Sequence, residues 1–143
     1  MGPNWNQRLH WPELSRLLPR PKPLRQRLGE RAERMALHLL ERRGYVIEAR
    51  NVRFPVGEID LVAREGQTLC FVEVRSASSL QWAGAVASIT TEKQRRLLRA
   101  ARWYLARLRT VPPEIRFDVV AVDWSHRDGP ALELVRGAFD ASE

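Results

Sequence analysis

Residues 57–75 read GEIDLVAREGQTLCFVEVR. Two segments in this stretch, EIDLVAR and TLCFVEVR, are rich in Val, Ile and Phe, and Glu65, Gly66 and Gln67 between them give a hairpin signal. The second strand is apolar enough to lie in the centre of a sheet, yet it carries Glu73 in its middle. Pairing through a four-residue turn sets Asp60 opposite Glu73, with Cβ atoms about 5 Å apart. Alternation along the strand puts Arg75 on the same face as Glu73. Carboxylates withdrawn from water must be paired, protonated or bound to a metal. Two readings stay open on residue types alone: a hard divalent cation lies between the acids, or Arg75 or another arginine neutralises them in a core ion network.

Working outward, YVIEARNVRF before the hairpin and IRFDVVAVDW after it read as further strands. ALELVRGAFDAS is a short strand with a closing segment. Leu28, Ala32, Met35, Ala36, Leu39 and Leu40 recur at helical spacing, and Gly44 supplies a stop. TTEKQRRLLRAARWYLARL, residues 90–108, gives a second amphipathic helix with Leu97, Leu98, Ala101, Tyr104, Leu105 and Leu108 inward. Thr91 to Gln94 reads as its capping box. The predicted class is α/β: a single domain over 27–143 with a mixed β-sheet flanked by helices. Five prolines before residue 24 break any periodicity, so 1–26 is predicted to be a basic N-terminal arm. Trp5 and Trp11 either pack on the domain or stack on nucleic acid.

The 143 residues are 44% apolar and 29% charged, which excludes collagen-like and disordered classes. No apolar run is long enough for a membrane span, and the N-terminal stretch does not resemble a secretory signal; a cytoplasmic protein is expected. A single cysteine, Cys70, and scattered His10, His38 and His126 leave too few soft ligands for zinc. The net charge of +7 suits a polyanionic partner. More than half of that excess lies in residues 1–26. Lys22 and Lys93 are the only lysines, so chemistry needing an amine in the domain has one candidate.

The string GEIDLVAREGQTLCFVEVR, followed by EKQRRLLRAARWYL and RFDVVAV, resembles the bacterial YraN family over about residues 28–140. Asp60, a gap of twelve residues and then Glu73-Val74-Arg75 is similar to the D-(X)n-E-X-K signature of restriction-endonuclease-like nucleases. The YraN family is similar in fold to archaeal Holliday-junction resolvases. The resemblance implies a restriction-endonuclease-like fold, with Asp60 and Glu73 as ligands of Mg²⁺ or Mn²⁺ and the Val74 carbonyl as a third oxygen. It also implies that Glu33, on the first helix, supplies another acid; its position seven residues before Leu40 sets it at the edge of the buried stripe. A solvated helix acid is the competing reading of Glu33. Arg75 departs from the signature lysine: it keeps the charge but cannot act as a base. Lys93, near the start of its helix, either compensates or is a surface base.

Arg95, Arg96, Arg99 and Arg102, with Arg107 and Arg109, line the outer faces of the second helix as a phosphate-tracking surface or a solvated face. Arg116 and Asp118 lie two apart on one strand face, the spacing of a structural pair, and Glu58 adjoins the acids. Ser76, Ser78 and Ser79 have no nearby histidine for nucleophilic chemistry. The function expected from all this is metal-dependent endonucleolytic hydrolysis of DNA, structured or branched. The alternative is a non-catalytic nucleic-acid-binding or protein-interaction module that retains the fold. The partners expected are DNA, no membrane, a second copy of the chain by analogy with resolvases, and a DNA-processing protein.

Overall fold

A computed structural model of the chain describes residues 20–77 and 89–141. Trp5, Trp11, Ser78, Ser79 and most of the predicted arm lie outside the described residues.

Helix α1 spans Leu24–Arg42, starting four residues before the expected Leu28. Pro23 is its N-cap, and Pro23 O accepts from Arg27 N–H at 3.1 Å. The last three residues of the predicted arm are therefore the helix's first turn. The stop at Gly44 is a paired C-terminal motif. Gly44, at φ +87°, donates to Glu41 O, and Tyr45 donates to Leu40 O, each at 3.0 Å. That turn delivers Tyr45 into the cluster that buries Leu40.

Strands β1 (Val46–Phe54), β2 (Gly57–Glu65) and β3 (Thr68–Ala77) form an antiparallel meander. Helix α2 (Thr91–Leu105) then returns the chain to β4 (Glu114–Asp123), parallel to β3, and β5 (Ala131–Phe139) closes an edge antiparallel to β4. The result is a five-stranded mixed sheet in the order β1-β2-β3-β4-β5. β5 is a full nine-residue strand rather than a short one. α2 ends at Leu105, three residues before the expected Leu108, although Leu108 still packs on the core.

Among the described residues, each face of the sheet carries one helix. Ala32, Ala36 and Leu40 of α1 pack on Leu61, Ala63, Cys70, Val72, Val120 and Val122. Leu97, Ala100 and Ala101 of α2 pack on Val62, Leu69, Phe71 and Phe117. Because β3 is covered on both sides, Thr68 to Val72 are all buried, which explains its near-continuous apolar run. Among the described residues no helix is long and apolar enough to cross a membrane.

Two local features shape one end of the sheet. Asn51 sits at φ 48° within β1, and the ladder to β2 skips from Arg50↔Leu61 to Val52↔Ile59. Asn51 thus stands opposite the Asp60 position of β2, and the register shift of this ladder falls between Ile47 and Ala49. Gly57 lies so close to α2 that a Cβ on it would stand 2.9 Å from the Arg96 carbonyl oxygen. The glycine is thus what lets the start of β2 press against that helix.

Candidate functional site

The β2–β3 ladder pairs Leu61 with Val72 and closes through Glu65↔Thr68, leaving Gly66 and Gln67 as the loop. Gly66 takes φ +60°, the left-handed value a tight hairpin needs there. One step beyond Leu61↔Val72, the same register brings Asp60 opposite Glu73. Asp60 Oδ2 accepts from Val74 N–H at 2.8 Å, so Val74 enters the site through its amide. The two carboxyls are hydrogen-bonded to each other. Burial pushes both upward from the ordinary carboxylate range. Glu73, with the Asp60 charge against it, rises to about 8 despite the opposing charges of Arg75 and Lys93. The pair therefore holds a proton more readily than two free carboxylates would.

This pair lies in a cleft of about 520 Å³ whose wall includes Gly57, Glu58, Lys93 and Arg96. Lys93 is on the first turn of α2, where its backbone N–H donates to Thr90 Oγ1 at 3.2 Å. The cap is thus Thr90 rather than the expected Thr91, and Gln94 Nε2 donates to Ile89 O at 3.1 Å. Arg75 acts on both carboxyls through its charge. Glu33 reaches toward them from α1: its carboxyl is raised first by burial and then by the Asp60 charge, and Asn51 donates a hydrogen bond to it. Glu58 is exposed and pairs with Arg53 at 3.3 Å.

The fold thus gathers Asp60, Glu73, Val74, Arg75 and Lys93, with Glu33 at the margin. Arg96 joins the cleft and bridges to Glu92 at 3.4 Å, while Arg95 lines a separate hollow with Phe139 and Asp140. Arg99 and Arg102 are exposed on the same helix. Sequence reading missed Asn51. Asn51 lies between Arg50 and Val52, and nothing local says that it takes a left-handed backbone or that it holds Glu33.

Two adjoining hard-oxygen carboxylates suit a divalent cation, which would relieve their repulsion. Among the described residues no three His, Cys, Asp or Glu side chains gather into a metal-holding group. The pair alone would then supply the acidic ligands, a number Mg²⁺ accepts when water or substrate oxygens complete its shell.

A second polar centre lies inside the sheet. Asp118 is fully buried, with Arg116 Nε at 2.7 Å from Oδ1 and Nη2 at 2.8 Å from Oδ2. Tyr45 Oη donates to Oδ2 at 3.2 Å and Gly137 N–H to Oδ1 at 2.9 Å. Arg116 also reaches Glu65 at 3.5 Å, and Glu65 pairs with Arg136. The spacing of Arg116 and Asp118 is thus that of a structural ion pair.

Residues 32–122 match the uncharacterised protein family UPF0102. The chain belongs to this family, which is the YraN family. It is 50% identical over 121 residues to a UPF0102 protein of Cupriavidus taiwanensis, covering 84% of this chain and 88% of the relative. A UPF0102 protein of Desulfosudis oleivorans is 44% identical over 118 residues, 82% of this chain and 94% of the relative. One of Herminiimonas arsenicoxydans is 46% identical over 110 residues, 77% and 88% respectively. The UPF0102 match contains every residue of the cleft pair and of the Arg116–Asp118 network except Arg136 and Gly137.

Proposed function

We propose that this UPF0102 protein is a metal-dependent endonuclease of restriction-endonuclease-like fold that hydrolyses DNA, with structured or branched DNA as its substrate. The observation that carries this reading is the Asp60–Glu73 pair, two carboxyls side by side on adjacent strands in a cleft lined by Lys93 and Arg96. The likeness of Asp60…Glu73-Val74-Arg75 to the nuclease signature supports the same assignment.

Mg²⁺ or Mn²⁺, bound by Asp60 and Glu73 with the Val74 carbonyl as a further donor, would acidify a water and neutralise phosphate charge. The chain's own groups prepare that site. The Val74 amide fixes one Asp60 oxygen and so orients the other. Glu73 releases its proton when positive charge arrives. Arg75 supplies charge but cannot take a proton. Lys93 places an ammonium on the cleft wall, where it can stabilise the charge that develops on a phosphate under attack. Arg96 binds the adjoining phosphate, and Arg95, Arg99 and Arg102 follow the backbone beyond it.

One feature favours the second reading, a non-catalytic nucleic-acid-binding module: Arg75 already offsets both carboxyls, and Glu33 does not complete a three-acid cluster. Incubating linear, flapped and four-way DNAs with Mg²⁺ or Mn²⁺ separates the two. Cleavage by the wild type that is lost in Asp60→Asn supports the nuclease. A protein that cuts none of them, and whose melting temperature ignores both ions, is the binding module.

A further inference from the structure

Trp103 on α2 leaves 42% of its surface exposed. Its ring stands 5.8 Å from that of Phe54, tilted by 45°. Phe54 lines the carboxylate cleft, and the Arg107 guanidinium lies over its ring at 4.6 Å. Arg96, in the cleft wall, precedes Trp103 by seven residues and so shares its stripe of the helix, about 10 Å along the axis. A row therefore leads out of the cleft: the cations Lys93 and Arg96, then an exposed indole, then Arg107. Packing against Phe54 accounts for one side of Trp103, while a large part of the indole stays open to water.

We infer that Trp103 is a stacking platform for an unpaired nucleobase next to the phosphodiester held in the cleft, and that it sets the preference of the site for nucleic acid with unstacked nucleotides. This rests on the nuclease reading for the phosphate in the cleft, but not on cleavage itself. The occupant follows from the chemistry of the row. Flanking guanidiniums attract a polyanion, and an indole face between them accepts a flat π-surface. Within a continuous duplex each base face is covered by its neighbours, whereas a gap, flap or junction offers one away from the ends. Arg99, four residues before Trp103, adds a further phosphate contact along the same strand.

The test is fluorescence anisotropy of dye-labelled DNA with the full chain in EDTA, where no cleavage occurs. A flapped duplex is compared with a continuous duplex of equal length. Trp103→Ala should weaken the flapped probe by about 5- to 150-fold, the cost of one lost base stack, and the continuous duplex by less than about twofold. Trp103→Phe, which keeps an aromatic face on Phe54, should restore most of the flapped-probe affinity, and thermal melts establish that each variant is folded. An equal loss on both probes, no loss on either, or failure of Trp103→Phe to restore binding while folded overturns the platform and leaves the nuclease reading standing. If wild-type protein binds neither probe, the nucleic-acid reading falls and the platform with it.

Discussion

Asp118 and Asp60 belong to the same sheet, and the chain treats them in opposite ways. Asp118, wholly buried, meets both arms of Arg116, the Tyr45 hydroxyl and the Gly137 amide, so each of its oxygens has a donor and its charge has a partner. Asp60 has the Val74 amide, the Glu73 carboxyl and, through its charge alone, Arg75 as neighbours, and it opens on a cleft. A buried charge with a bidentate partner and full hydrogen bonding is a structural solution. A pair of acids that must retain a proton is a poor one, and such strain in ionisation clusters at functional sites. Burial alone therefore does not separate the two; the identity of the partner does.

Removing Arg116 gives the largest expected effect. Arg116→Ala leaves Asp118 charged and unpaired in the core, which costs about 3–5 kcal/mol and lowers the melting temperature by about 10 °C or more. Calorimetry of the purified variant checks this. A melting temperature within a few degrees of wild type would mean that water reaches Asp118, and the contrast with Asp60 would dissolve.

Gly57→Ala comes next. A methyl 2.9 Å from the Arg96 carbonyl must displace backbone rather than a flexible side chain. Overpacking of this kind costs about 1–3 kcal/mol. Because the displaced atoms carry the cleft wall, ion-dependent stabilisation should weaken together with stability, whereas Arg116→Ala, refolded at low temperature, should keep its ion response. Thermal melts with and without Mn²⁺ measure both.

Asp60→Asn should move stability the other way. The amide oxygen can still accept from Val74 N–H, while the charge opposing Glu73 is gone, so in EDTA at pH 8 the variant should gain about 1 kcal/mol and lose any response to Mg²⁺. The pH dependence has a definite sign. Glu73 holds its proton more tightly folded than unfolded, so the stabilisation is complete below the ordinary carboxylate range and is lost as pH rises toward about 8. Wild-type melts from pH 4.5 to 8.5 should decline across that window, and Asp60→Asn should flatten the decline. A wild-type profile that instead rises would show both acids ionised and paired to cations, as Asp118 is.

The hairpin and its acids were legible because one short turn fixes everything around them. Gly66 and Gln67 close the loop, and counting back from Glu65↔Thr68 reaches Asp60 and Glu73 without further information. The Arg116–Asp118 pair was legible for the same reason, two residues on one strand. Its partners were not, since Tyr45, Glu65 and Gly137 come from segments that meet only in the folded sheet. The left-handed backbone at Asn51 escaped because an asparagine between Arg50 and Val52 reads locally as an ordinary polar position. The early start of α1 escaped because Pro23 was read as a breaker, while a helix tolerates proline at its entry.

Lys93→Ala gives the smallest expected change in stability and tests which cation belongs to which region. Lys93 is exposed, and its contribution to capping is a backbone N–H that alanine retains, so stability should stay within about 0.5 kcal/mol of wild type. DNA affinity should fall by a few fold at most, with the slope of log affinity against log salt shallower by about one contact. Cleavage, if Lys93 supplies the amine missing at position 75, should disappear while binding survives, and Arg75→Lys should be tolerated. A Lys93→Ala protein that cuts at the wild-type rate would transfer the role to Arg75. The Asp60–Glu73 site would then resemble the Arg116–Asp118 centre in one respect, an arginine as the cation that completes it, and would still differ in being open to a substrate.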